Sequence, residues 1–196
     1  IEGSQPEDLA SVPEDAKYAA GSFPIAEAVN RALELVEGEV EMTLSSSGII
    51  EGEILPQYGM FGEQMKDGIP SLSLPLRADF APAGTLSFAI RMADPDSMPI
   101  AGYEWVHWMA VNLENLDLPE NASMEWAEQM IQGRNDFGTV GYGGPTPPDR
   151  LHTYLITVYA LDAMLDLQNG FTKKAFDAAL EGHILAEASI TGVYPN

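Results

Sequence analysis

The chain has 196 residues, with 9 Lys and Arg against 30 Asp and Glu, for a formal net charge of −21. That balance excludes a nucleic-acid surface, which needs clustered Lys and Arg, and it excludes docking on an anionic membrane. Cysteine is absent, which excludes disulfides, thiolate nucleophiles and zinc–thiolate sites.

A chain of this length buries enough surface to fold without such staples, and one domain with an appended arm is its natural organisation. No window approaches the ~20 apolar residues of a spanning helix. The first residues are acidic and lack the basic and apolar regions of a secretory signal. The chain begins with Ile1, so a removed signal peptide is left open, and the compartment with it: cytoplasmic, or extracytoplasmic if a leader was cleaved.

Residues 1–21 read as a loose arm with Pro6, Pro13, Gly3 and Gly21 and five acidic residues. Ser22 caps a predicted helix over 23–37, with Pro24 in its first turn and Gly38 after its end. Ile25, Val29, Leu33 and Val36 fall on one stripe of it, which covers a face of the same domain or makes a homodimer contact. Residues 1–39 are therefore taken as an N-terminal arm and helix, and 40–196 as the main domain.

From residue 40 the apolar period changes to two. Val40, Met42 and Leu44 alternate with polar residues, as in a half-buried strand. Residues 48–75 are rich in Gly and Pro and read as loops with short strands. Leu86, Phe88, Ile90 and Met92 alternate along the clearest strand. Trp105, His107, Met109, Val111 and Leu113 are expected to share one face of the next. Ser123 to Gln132 is expected as a short helix stopped by Gly133, and a Gly/Pro loop spans 141–148. His152, Tyr154, Ile156 and Val158 share a face of a further strand. Thr172 caps a second short helix ended by Gly182, and the chain closes on a strand through HILAEASI. Short alternating stretches of this kind predict a mainly β domain, an antiparallel Greek-key β-sandwich with peripheral short helices.

The residues that could carry chemistry are few. There are three His. His183 has no evident partner, whereas His107 lies mid-strand beside Trp105, and His152 and Tyr154 leave one strand from the same face. The turn Asp94-Pro95-Asp96 follows a strand end, where Pro95 stiffens the backbone and a carboxylate can orient an imidazole. In the loop, Gly141, Gly143 and Gly144 lack a Cβ, so their N–H groups could approach an anion closely, with the ring of Tyr142 turned away. Each piece has a plainer reading: a strand His is ordinarily a core residue, Asp-Pro-Asp a common turn and a Gly/Pro run a loop. Asp136-Phe137-Gly138 imitates a kinase motif without the accompanying kinase loops, and no G-x-S-x-G or H-E-x-x-H is present.

Taken in order, these pieces resemble the phosphatidylethanolamine-binding protein family, which includes the Raf-kinase-inhibitor-like proteins. They are Asp94-Pro95-Asp96, Trp105-x-His107, Asn135-Asp136-Phe137-Gly138, Gly141-Tyr142-Gly143-Gly144-Pro145-x-Pro147-Pro148, and His152-x-Tyr154. The ending GHILAEASITGVY is similar to the bacterial and archaeal branch, and the resemblance covers roughly 40–194. It implies a sandwich of two antiparallel sheets and a surface cavity for phosphate-like anions and phospholipid headgroups. By position, Asp94, His107, Gly144, Pro148, His152 and Tyr154 would line that cavity, with Asp96 and Trp105 close by. The family pattern is departed from at three points on the rim. Thr153 stands where Arg is usual, Asp149-Arg150-Leu151 is a short link without the usual Gly, and Pro99 follows Asp96 by three residues rather than two.

The leading expectation is thus non-enzymatic binding of a small phosphate-like or carboxylated ligand, with no cofactor and no metal. The net charge opposes an anion at long range, but the screening length is ~8 Å at physiological salt. If the ligand is held by imidazolium, affinity should fall as pH rises through the His pKa. The alternatives are a regulator that inhibits a kinase or protease partner, to which an acidic surface would suit a basic protein, and a hydrolase in which Asp94 orients His107 or His152 as general base. A divalent metal held by two His and an Asp is the remaining possibility.

Overall fold

The structure is a computed structural model and describes residues 41–196. The helix expected over 23–37, its buried stripe and the dimer contact lie outside the described residues. The strands, in chain order, are β1 (Thr43–Ser45), β2 (Ile49–Ile50), β3 (Glu53–Ile54), β4 (Met65–Lys66), β5 (Ile69–Pro70) and β6 (Leu76–Asp79). They continue with β7 (Ser87–Asp94), β8 (Trp105–Leu113), β9 (Asp117–Leu118), β10 (Ile131–Gln132), β11 (His152–Leu161) and β12 (Ile184–Tyr194). Among the described residues three short α-helices accompany them: α1 (Met98–Ala101), α2 (Ala122–Glu125) and α3 (Lys173–Leu180).

A seven-stranded sheet runs β10-β8-β7-β11-β12-β3-β2, and a three-stranded sheet runs β1-β6-β9. Pairing is antiparallel throughout except between β12 and β3, which meet in parallel at Val193 and Glu53. The step from β8 to β11 crosses to the far side of β7, so consecutive long strands are not all neighbours. The fold is mainly β. The core between the two sheets joins Leu44, Leu76 and Leu118 of the small sheet to Ile90, Met92, Trp108, Ile156 and Val158 of the large one.

The clearest strand of the sequence, β7, is not half-buried. Both its faces are dry, because a second apolar cluster lies behind it, with Ala89, Val106, Met109 and Leu161 of the sheet packed against Phe176 and Leu180 of α3. This helix forms where expected. The Thr172 hydroxyl accepts a hydrogen bond from the Ala175 N–H at 3.2 Å, and Gly182 takes a left-handed φ of 81° beyond its end. Phe176 is fully buried against Phe171 and Tyr159. Replacing Phe176 with Ala should cost about 3–5 kcal/mol of stability, read as a fall in the urea midpoint with an unchanged slope.

Two local expectations are corrected. The helix over 123–132 is broken into α2, a 3₁₀ turn at Ala127–Gln129 and strand β10. Sheet pairing overrides helical periodicity there: Gln132 pairs with Ala110, and its Oε1 accepts from Trp108 Nε1 at 2.9 Å and from the Ser123 hydroxyl at 2.7 Å. The shared face expected for Trp105, His107, Met109, Val111 and Leu113 is also interrupted. Met92 pairs with Trp108 while Ala93 pairs with Val106, which leaves His107 as the extra residue of a β-bulge. A second irregularity near Asn112, at φ 63°, restores the parity. As a result Val106, Met109 and Val111 face the α3 cluster, whereas Trp108, Ala110 and Leu113 face the sandwich core.

Candidate functional site

Because β7 runs antiparallel to both its neighbours, its last residue meets their first ones. Asp94 closes β7 and pairs with Trp105, which opens β8; His152 opens β11 on the other side. This one edge of the sheet carries a cavity of about 210 Å³ lined by Asp94, Trp105, His107, Pro148, His152 and Tyr154. Ser97, Ile100 and Ala101 after the turn, with Phe137 and Thr146 from the loops, complete its wall.

The bulge turns His107 into this cavity, as bulges commonly re-aim a side chain. Its Nδ1–H donates to the Gly143 carbonyl at 2.6 Å, which leaves Nε2 as an acceptor. Its ring meets the edges of Tyr154 and Phe137 at centroid distances of 5.1 and 5.5 Å. Burial pushes its pKa down to about 4, against the opposing pull of the Gly143 carbonyl and of the Asp94 and Asp136 charges. His107 is therefore neutral at physiological pH.

His152 is held differently. Its ring is fully buried, with Nδ1 2.7 Å from Asp94 Oδ2 and Nε2 2.9 Å from Asp149 Oδ1. Carboxylates only accept, so both nitrogens donate and the ring is an imidazolium. Burial works against that charge, but the hydrogen bonds to Asp94 and Asp149 outweigh it and the net shift is upward. With Nε2 engaged by Asp149, this ring has no lone pair to act as a general base or to ligate a metal. Asp94 orients His152 and not His107.

Among the described residues, three buried polar atoms at this edge have no hydrogen-bond partner: Asp94 Oδ1, Trp105 Nε1 and the Tyr154 hydroxyl. Burial, and next the Asp94 charge, raise the Tyr154 pKa, so the phenol stays protonated and can donate.

Two predicted site residues lie elsewhere. Asp96 turns from the cavity and accepts from the Thr153 N–H at 2.8 Å and from Arg150 at 3.1 Å. Chiefly the Thr153 bond, set against a desolvation cost, lowers its pKa, and its role is to pin the start of β11. Gly144 packs on the Tyr58–Gly59 backbone, where a Cβ would stand 2.2 Å from Tyr58 O.

The expected backbone donors are likewise absent from the cavity. The N–H of Gly141 donates to Gly133 O at 3.1 Å, that of Gly143 to His107 O at 2.9 Å and that of Gly144 to Pro70 O at 2.8 Å. This loop thus serves as a neighbour to the bulge and holds His107, while the Tyr142 ring is buried in the core with its hydroxyl donating to Tyr58 O at 2.8 Å. His183, which has no evident partner in the sequence, pairs at the surface with Asp162 at 2.8 Å.

Sequence reasoning missed Phe137, Ser97, Ile100, Ala101 and Thr146 as wall residues, and Asp149 as the second partner of His152. The signal for Phe137 was at hand, since it lies in one of the motif pieces. That for Asp149 was its spacing three residues before a histidine, read only as a short link.

The family model described as phosphatidylethanolamine-binding protein matches residues 45–195. The chain belongs to this family. Among curated relatives it is 41% identical over 149 residues to YxkA of Bacillus subtilis, an uncharacterized protein, across 68% of this chain and 89% of the relative. It is 35% identical over 160 residues to the UPF0098 protein YbhB of Escherichia coli, across 78% and 99%. Among solved structures it superposes on CT736 of Chlamydia trachomatis, described as a candidate homologue of the family, with a TM-score of 0.69 and 32% identity over 81% of this chain and 99% of that one. Escherichia coli YbcL, described as a new member of the mammalian PEBP family, gives a TM-score of 0.67 and 29% identity over 79% and 98%. Family membership accounts for the order of the motif pieces.

Proposed function

We propose that the cavity binds a small phosphoryl group, free phosphate or a phosphate monoester, in a form that keeps one proton. One observation carries this reading: the three unpartnered atoms Asp94 Oδ1, Trp105 Nε1 and Tyr154 OH, beside the neutral His107, mix acceptors with donors. A fully ionised phosphate only accepts. A phosphoryl monoanion can instead donate its O–H to Asp94 Oδ1 or His107 Nε2 while its other oxygens accept from Trp105 and Tyr154. Leaving such buried groups unpaired costs about 1–3 kcal/mol each, which a matching ligand recovers.

This reading keeps the direction of the expected pH dependence but moves the titrating group from the rings to the ligand. A phosphate monoester loses its second proton near pH ~6. Affinity should then fall about tenfold per pH unit above that value. The His107 transition, at about 4, lies well below this window. Calorimetric titration with phosphoethanolamine, inorganic phosphate and ethanolamine between pH 5.5 and 8 tests the proposal. Phosphoethanolamine and phosphate should both bind, more weakly as pH rises, and stronger binding by the former would favour a monoester ligand over free phosphate. Binding of ethanolamine alone, which a free carboxylate oxygen among aromatic walls would also suit, would overturn the phosphoryl reading, as would an affinity independent of pH.

A further inference from the structure

His152 presents an imidazolium on the cavity wall, yet neither of its N–H groups is free. One is fixed by Asp94, which is buried with it. The other is taken by Asp149 at 2.9 Å, and here the two partners are unequal, for the His152 side chain is 1% exposed and the Asp149 side chain 48%. Asp149 sits on the three-residue link from Pro148, itself a wall residue, to His152. Its other charged neighbour is Arg150, at 4.0 Å and also exposed. A half-exposed carboxylate on a surface link can rotate into solvent at little cost, whereas buried Asp94 cannot.

We propose that Asp149 is a tethered competitor, a resident carboxylate that occupies the Nε2–H of His152 in place of an anionic ligand and so sets which ionisation state of a phosphoryl group the cavity accepts. The inference rests on the phosphoryl reading above and deepens it. With Asp149 in place, the cavity offers two donors and its acceptors and selects the protonated ligand. With Asp149 removed, an incoming oxygen gains a charge-assisted hydrogen bond from His152 and no longer meets the Asp149 charge. Both changes favour the dianion. A competitor attached three residues away acts at high effective concentration and needs little intrinsic affinity. The charged groups that face or neighbour His152 are Asp94, Asp149, Asp96 and Arg150, with His107 and Tyr154 neutral beside it. With Asp149 removed, the hydrogen bond and charge of Asp94 still favour the protonated ring.

The test compares the wild-type chain with Asp149→Ala, titrating inorganic phosphate by calorimetry at pH 6 and 8 while following the His152 ring nitrogens by NMR. At pH 8 the variant should bind about tenfold to a hundredfold more tightly than wild type. Its affinity should vary less with pH, and phosphate should shift the His152 Nε2 resonance in the variant alone. Binding by the variant where wild type shows none would also support the proposal. Wild-type binding with no gain in the variant would overturn it and leave the phosphoryl reading standing; no binding by either would overturn both. Should Asp149→Ala fail to fold, Asp149→Asn removes the charge and keeps the shape, and a gain of the same sign is required.

Discussion

Acidification from pH 7 to pH 4 should cost this domain about 3 kcal/mol through His107 alone. Its ring has a folded pKa of about 4, against ~6.5 in an unfolded chain. Between those values the unfolded state binds the extra proton and the native state does not, so stability falls as pH falls. The stabilisation is whole above ~6.5 and lost by about 4, and a difference of about 2.5 units at 1.36 kcal/mol each gives the figure. The ring is fully inside the protein, so solvent screening does not discount it. His107→Gln keeps a donor for the Gly143 carbonyl but does not titrate in this range. Urea unfolding at pH 4 and pH 7 should therefore show wild type losing about 3 kcal/mol more than His107→Gln; equal losses would place the proton elsewhere. His152 acts with the opposite sign. Its folded pKa is raised, so its contribution is complete below ~6.5 and is lost as pH rises through the folded value.

The second large effect is expected at Asp94. Asp94→Ala would leave the buried imidazolium with only the half-exposed Asp149. Removing one partner of a buried pair costs about 3–5 kcal/mol, which for a domain of this size lowers Tm by roughly 10 °C. The His152 pKa should drop in the same variant, visible in its ring resonances, and phosphoryl binding should be lost with the Oδ1 acceptor. Asp94→Asn keeps the shape and should lose less stability, but its amide no longer offers a charged acceptor, so its binding defect should be nearly as large. A variant that kept its Tm and its ligand would show the Asp94–His152 contact to be incidental.

The sequence carried the sheet and most of the cavity because both are written in local signals. Period-two stretches mark β7, β8 and β11, and strand ends hold Asp94, Trp105 and His152 in motif order. Tyr154 follows His152 by two and therefore shares its face, which the structure keeps. What was not legible depends on contacts between distant segments. The bulge at His107 exists because the loop glycine Gly143 takes and returns hydrogen bonds there, and nothing within β8 announces it. The glycines of that loop looked like anion donors because their conformational freedom is visible in sequence, whereas the carbonyls of Gly133, His107 and Pro70 that consume their N–H groups are not. Asp96 is expected only close by the cavity, and the contacts with Thr153 and Arg150 that engage it there come from a distant strand and link.

The bulge also sets how freely this site can change over evolution. As the surplus residue of its strand, His107 has no cross-strand partner in β7, so the register does not depend on which side chain stands there. Substitutions at 107 can alter the chemistry of the cavity while the sheet pairing stays as it is. Deleting the residue would make the ladder regular without changing it: Val106 and Trp108 already pair with Ala93 and Met92 on opposite faces, and they would become adjacent and keep those partners and faces. What the deletion would remove is the ring on the cavity wall and its two hydrogen bonds with Gly143, so both point changes and loss of this residue act on the site and not on the sheet.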